Sequence, residues 1–158
     1  MATRWYLPAD TLTTPISPTS DAAWEDTSIL TRTTAPTVKR STAMTNVSFT
    51  DADATDKDIL FKQFIGNELT PGQTITGGQA IKFQILGQEI LAGNNMFTAM
   101  GVRIIASDGS TVRKVVLAVT RDNLELRVEA DGFQNRQFTA TSAVGNYITV
   151  AGDHPVFE

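Results

Sequence analysis

Residues 96–119 read Met96-Phe97-Thr98-Ala99-Met100-Gly101-Val102-Arg103-Ile104-Ile105-Ala106-Ser107-Asp108-Gly109-Ser110-Thr111-Val112-Arg113-Lys114-Val115-Val116-Leu117-Ala118-Val119, and this stretch decides the fold. Met96, Thr98, Met100, Val102 and Ile104 share one parity; Phe97, Ala99, Gly101, Arg103 and Ile105 share the other. A side-chain period of two is that of a strand, because successive Cβ atoms point to opposite faces of a sheet. Ser107-Asp108-Gly109-Ser110 interrupts the run, and Asp-Gly between two strand-like runs is a strong hairpin signal. Thr111–Val119 is therefore expected to pair back on the first arm.

The same period extends in both directions. Upstream, Val47 and Phe49 alternate with Asn46, Ser48 and Thr50. In Ile59-Leu60-Phe61-Lys62-Gln63-Phe64-Ile65 both faces are largely apolar, as in a strand covered on two sides. Ile81, Phe83 and Ile85 alternate with Lys82 and Gln84. Downstream, Leu124, Leu126 and Val128 alternate with Glu125, Arg127 and Glu129 up to Asp131-Gly132, which predicts a separate strand. Phe138 with Ala140, then Tyr147-Ile148-Thr149-Val150, then Pro155-Val156-Phe157-Glu158 after a Gly152-Asp153 turn complete the series. This last strand is short, and an unpaired sheet edge there would invite a neighbour. Eight or nine short strands without an amphipathic helix predict an all-β fold, a β-sandwich of jelly-roll type, with a closed barrel as the alternative.

The composition changes near residue 43. Residues 1–42 hold four of the six prolines and eleven threonines, and their four basic and four acidic side chains cancel. Proline fixes φ and lacks a donor, so this stretch is expected to run extended as an arm, with one helical turn around Asp21-Ala22-Ala23-Trp24 capped by Ser20. Residues 43–158 form the β-domain. Both tryptophans, Trp5 and Trp24, nevertheless lie in the arm, near Tyr6, Leu7, Ile29 and Leu30. A large aromatic buries about 150–250 Å², so these six residues are expected to be anchors. Either they fold back over their own domain or they bind neighbouring subunits, which is the preferred expectation. In that case proteases would cut an isolated chain within residues 10–42.

The 158 residues fit one domain, with 41% apolar and 19% charged side chains and a net charge of −4. Broad nucleic-acid binding needs a clustered basic face and is not expected. Nor is a membrane span or a secretory leader: the first apolar group, Trp5-Tyr6-Leu7, stops at Pro8. Without cysteine there is no disulfide, thiol nucleophile or thiolate metal site. Asp51, Asp53, Asp56 and Asp58 resemble a hard-cation loop, but Asp56 stands where an EF-hand needs Gly and Lys62 where it needs Glu. A solvated loop is the expected role. His154, the single histidine, has no Gly-x-Ser-x-Gly elbow to serve and reads as a surface turn residue. Of the possible acid pairs for glycoside hydrolysis, Glu125 and Glu129 read as the wet side of a strand; Glu68 and Glu89 lie near strand ends without a sugar platform. Arg103, Arg113 and Lys114 suggest a small basic patch, solvated or paired with a neighbouring subunit. No catalytic residue, metal or cofactor is expected.

Several segments in order carry a family resemblance. They are Arg4-Trp5-Tyr6-Leu7-Pro8, Ser20-Asp21-Ala22-Ala23-Trp24-Glu25-Asp26-Thr27, Lys39-Arg40-Ser41-Thr42-Ala43-Met44-Thr45, Gln73-Thr74-Ile75-Thr76-Gly77 and Ser107-Asp108-Gly109-Ser110-Thr111-Val112-Arg113. Through them nearly the whole chain resembles a family of small tailed-bacteriophage virion proteins. The resemblance implies a non-enzymatic structural component with a β-sandwich body, and relatives with more residues after the Gly152-Asp153 turn. The first expectation is a capsid decoration or cement protein, a homo-oligomer such as a trimer on the capsid surface, bound to the major capsid protein. It would reside in the host cytoplasm during assembly. A tail, neck or baseplate component, including a fibre adaptor, comes second, and a carbohydrate-binding adhesin third.

Overall fold

The computed structural model describes residues 4–8, 13–38, 56–89, 95–126, 128 and 132–158. Among the described residues all regular structure is β, in nine strands: β1 (Thr31–Ala35), β2 (Lys62–Gly66), β3 (Thr74–Ile75), β4 (Ala80–Gly87), β5 (Phe97–Ala106), β6 (Val112–Glu125), β7 (Gln134–Thr141), β8 (Tyr147–Ile148) and β9 (Asp153–Phe157). Five of them form one sheet in the order β1-β2-β9-β5-β6; β4 pairs with β7 and β3 with β8 as two-stranded ribbons. The strand expected around Val47 and Phe49 lies outside the described residues.

The Asp-Gly hairpin forms as its sequence requires. Gly109 adopts φ +74°, which side chains disfavour, and its N–H donates to the Ala106 carbonyl at 2.9 Å. Asp108 Oδ1 accepts from the backbone N–H groups of Ser110 and Thr111, both at 2.8 Å, and Oδ2 from the Thr111 hydroxyl at 2.6 Å. Strands β5 and β6 then pair from Ile105–Val112 to Phe97–Glu125 with several register shifts. The separate strand expected at Leu124 is therefore the end of β6. The polar run Thr120-Arg121-Asp122-Asn123 lies inside this strand, where its charges have partners. Arg121 pairs with Asp58 and Asp122 with Arg136 of β7, whose Nη2 lies at 2.6 Å.

The closing strand is not an edge. β9 lies between β2 and β5, pairing Phe64–Phe157 and Ile65–Val156 on one side and Val102–Phe157 to Ala106–Asp153 on the other. Pro155 is unusual in such a position because it has no N–H to donate. Glu158 and Gly101 exchange both backbone bonds, and Asp153 O accepts from Leu69 on the β2 side. Backbone groups alternate direction along a strand, so Pro155 turns its missing donor towards Gly66. The Gly66 carbonyl takes the Nδ1–H of His154 instead, at 3.1 Å. His154 is thus a buried strand residue, 6% exposed, and the surface-turn expectation is corrected.

Each face of the five-stranded sheet is covered differently. On the first face Ala35, Val102, Ile104, Val116, Leu117 and Phe157 pack with Phe83 and Ala140 of the β4–β7 ribbon. On the second face Ile65, Ile105 and Val156, all fully buried, pack under Ile16. That cover comes from the N-terminal segment, which also supplies the edge strand β1. Residues 42 and 43, where the boundary is expected, lie outside the described residues; before them β1 pairs in parallel with β2, from Thr31–Lys62 to Ala35–Gly66. Proline-rich sequence excludes a central strand, and an edge strand is what it forms.

Candidate functional site

The most organised polar cluster lies on the second face, under the N-terminal segment. Its centre is the Glu158 side chain, contributed by the residue after β9. Arg103 of β5 donates to Glu158 Oε1 through Nη2 and also to the Thr19 carbonyl at 2.6 Å. Its Nε lies 3.6 Å from Asp21 Oδ2, an ion pair longer than a hydrogen bond. Gln63 of β2 donates to Glu158 Oε1 at 2.7 Å and accepts from Arg32 Nε at 2.8 Å. Arg32 Nη2 reaches the Pro18 carbonyl at 3.1 Å. The indole N–H of Trp24 donates to Glu158 Oε2 at 3.3 Å, and the Asp21 backbone N–H to Oε1 at 3.3 Å. Arg103, Gln63 and Glu158 are each at least 95% buried.

Burying these charges is strongly unfavourable unless they are paired and hydrogen-bonded. Here the desolvation is offset by a set of partners, about half of them groups of residues 18–32, with Arg103 Nε the one buried donor of the cluster left without a hydrogen bond. The cluster works as a clasp: strands β2, β5 and β9 present it and the segment completes it. Asp21 helps locally, since its Oδ1 accepts from Ala23 N–H at 3.0 Å and its carbonyl from Trp24 N–H at 3.2 Å. The feature is a turn capped by Asp21 itself, not a helical turn capped by Ser20.

The anchors divide accordingly. Trp24 is buried in the clasp, 9% exposed. Trp5 packs on the opposite face, its ring centroid 5.5 Å from that of Phe157, and Leu7 joins it against the core there. A Cβ at Gly66 would stand 2.6 Å from the Trp5 ring and 2.5 Å from Pro155, so glycine is needed for this close approach. Tyr6 is half-buried and its N–H donates to the Pro36 carbonyl at 2.9 Å. Ile29 and Leu30 are half-buried beside β1. Within the single chain Trp5 and Trp24 cover its own sheet, as in the fold-back alternative. Proteolysis within residues 13–38 then requires the clasp to open first.

Other expected sites disperse. Arg103 faces the clasp, Arg113 lies 3.3 Å from Asp153, and Lys114 donates to the Val144 carbonyl, so no basic patch forms. Glu89 is buried and accepts from Met96 N–H at 3.3 Å; exposed Glu68 accepts from Gly152 N–H at 2.7 Å. Glu125 is exposed on β6; Glu129, Asp51 and Asp53 lie outside the described residues. Asp58 pairs with Arg121, and the neighbouring Lys57 with Asp26 at 3.0 Å. Among the described residues no group of three or more His, Asp or Glu side chains is arranged to hold a metal ion. Another buried carboxylate, Asp153, accepts from the Tyr147 hydroxyl and Val150 N–H, both at 2.8 Å. Burial first, and then this bond to an anion, pushes the Tyr147 phenol pKa up.

Sequence reasoning did not identify Gln63, Arg103 and Glu158 as a unit. The available signal was a polar side chain inside an otherwise apolar run, Gln63 within 59–65 and Arg103 within 102–106, since such a residue needs a buried partner.

Two surface turns make acid sensitivity testable. Hydrogen bonds from Thr111 and then Ser110 hold Asp108 at about 2, and bonds from Ser28 followed by Lys57 hold Asp26 at about 2, against an ordinary 3.8. Each folded-state pKa is depressed, so their stabilisation is present above pH 3.8 and lost as pH falls towards 2. The urea midpoint should fall between pH 5 and pH 2, and Asp108→Asn should flatten that fall. An unchanged pH dependence in the variant would refute the assignment to Asp108.

Comparison with protein-family models, curated proteins and solved structures finds no match to this chain.

Proposed function

We propose that this chain is a structural protein of a tailed-bacteriophage particle, a capsid decoration protein that binds the major capsid protein and stabilises the shell. In this reading the β4–β7 ribbon and the five-stranded sheet are the two layers of a jelly-roll-like sandwich. The observation that carries the proposal is the clasp. A buried ion pair, Arg103 with Glu158, is used to fasten an extended segment across a sheet. That is the construction of a mechanically held building block. The order of the two tryptophan motifs and the Asp108-Gly109 hairpin supports the same reading through the family resemblance. Apolar side chains left in solvent at Val144 and Ile148, 85% and 63% exposed, supply a surface for a shell partner.

The test uses particles of the phage that encodes the chain. Quantitative mass analysis should find it in hundreds of copies per particle, in proportion to shell subunits. Particles assembled without it should lose their genome at a lower temperature and regain heat resistance when purified protein is added. A few copies per particle would transfer it to the tail, neck or baseplate. Absence from particles would refute a virion role.

A further inference from the structure

We infer that the free edge of β4 is a docking site for an extended, acid-bearing segment of another protein, which adds to the β4–β7 ribbon as a further strand. The inference goes beyond the virion reading and does not depend on it.

Strands β4 and β7 pair without a register shift from Ala80–Thr141 to Gly87–Gln134. Just before them the Ser142 N–H donates to the Gln79 carbonyl at 2.8 Å, so Gln79–Ser142 is a bonded position of the ladder. Backbone groups alternate direction along an antiparallel strand. Ile81, Phe83, Ile85 and Gly87 therefore turn their N–H and C=O groups to β7, whereas those of Ala80, Lys82, Gln84 and Leu86 turn outward. Among the described residues no group bonds to them there. The strand contains neither proline nor a bulge, so nothing in it blunts the edge.

The outer side of β6 is different. Its register shifts repeatedly, its Val116 carbonyl accepts from Ala143 N–H at 2.8 Å, and its Asp122 is held by Arg136 of β7. Those ties close β6 and fasten the β7 side of the ribbon to the sheet, which leaves β4 as the open side.

The side chains specify the occupant. Ala80, Lys82, Gln84 and Leu86 are exposed on the outer face, while in the inner row Phe83 is buried, Ile81 half-buried and Ile85 42% exposed. An added strand thus meets apolar groups on its inner side, and an ammonium and an amide on its outer side. Lys82 has no ion partner among the described residues, and a carboxylate directly across from it is the complement. A second copy of β4 does not bring one, because its outer row is Ala80, Lys82, Gln84 and Leu86. Main-chain bonds would hold such a segment, and its alternate side chains would select it.

The probe is a capped peptide as long as β4, alternating valine and threonine, with a glutamate where an antiparallel strand faces Lys82. Hydrogen exchange followed by NMR reads the edge residue by residue. In the free chain the Lys82, Gln84 and Leu86 amides should exchange fast and those of Phe83 and Ile85 slowly. Saturating peptide should slow the first group by at least about tenfold, and lysine in place of its glutamate should weaken binding several-fold. Gln84→Pro removes an outward N–H and no bond to β7, so it should keep the fold and abolish binding. Lys82→Glu should reverse the preference and favour the lysine peptide.

The inference is overturned if peptide at millimolar concentration slows none of the outward amides. It is equally overturned if Gln84→Pro, with parental circular dichroism, binds as the parent does. Should Gln84→Pro fail to fold, Lys82→Glu decides: an unchanged preference overturns the inference and a reversed one upholds it. Outward amides protected in the free chain, with protection lost on dilution, would make a second copy the occupant and overturn it too. A chain that binds the peptide but is missing from phage particles would leave this inference standing and remove the virion role.

Discussion

Replacing Glu158 with alanine is expected to lower the unfolding free energy by about 3–5 kcal/mol, because it removes the hydrogen-bonded counter-charge of buried Arg103 and leaves only the Asp21 carboxylate, 3.6 Å from its Nε. Domains of this kind carry roughly 5–15 kcal/mol in total, so the variant should be near the limit of folding at room temperature. The loss spreads over several groups. Gln63 loses the acceptor 2.7 Å from its amide, and Trp24 and the Asp21 backbone lose theirs at 3.3 Å. Glu158→Gln keeps an acceptor oxygen but no charge, and should lie between parent and alanine variant. Arg103→Met combined with Glu158→Leu removes both charges at similar volume and should recover more than half of the loss, since a desolvated pair contributes little net stability over apolar packing. Urea unfolding followed by fluorescence and circular dichroism measures all four chains. If Glu158→Ala unfolds within about 1 kcal/mol of the parent, the carboxylate is not a buried partner of Arg103.

Trp24→Ala is the second large effect, about 3–5 kcal/mol, the usual range for removing a buried indole. Trp24→Phe retains most of the apolar contact and loses one hydrogen bond to a charged group, at a cost of about 1.5 kcal/mol, the low end for such bonds. The low end is apt because the indole N–H lies a long 3.3 Å from Glu158. The readout that separates a clasp residue from an ordinary core residue is local. In Trp24→Ala, protease should cut within residues 13–38 under conditions where the β5–β6 hairpin still resists, because the segment opens before the sheet melts. Simultaneous loss of segment and sheet would make Trp24 part of a single cooperative core instead.

Both effects centre on a cluster that joins the two ends of the sequence, and this explains what could be read early and what could not. The period of two in 96–105, the Asp108-Gly109 turn, the doubly apolar 59–65 run and the alternation in 81–85 are local. Each depends on side-chain parity or a positive φ, and each strand appears where that pattern stands. The continuity of β6 through polar Thr120–Asn123 is not legible locally, because the partners of that run, Asp58 and Arg136, are not adjacent in sequence. His154 was misplaced for the same reason, since only the Gly66 carbonyl from another strand makes its burial tolerable.

The sequence by itself determined that this protein is all-β and where most of its strands and turns fall. Those properties follow from backbone geometry and apolar periodicity, which act over a few residues. Only the tertiary structure decided that the last strand is central, that the N-terminal segment lies on both faces of a sheet, and that Arg103 and Glu158 close a clasp. These depend on which strands become neighbours. A buried charge shows the same letters as an exposed one until the partner that neutralises it, here 55 residues away along the chain, is brought into contact.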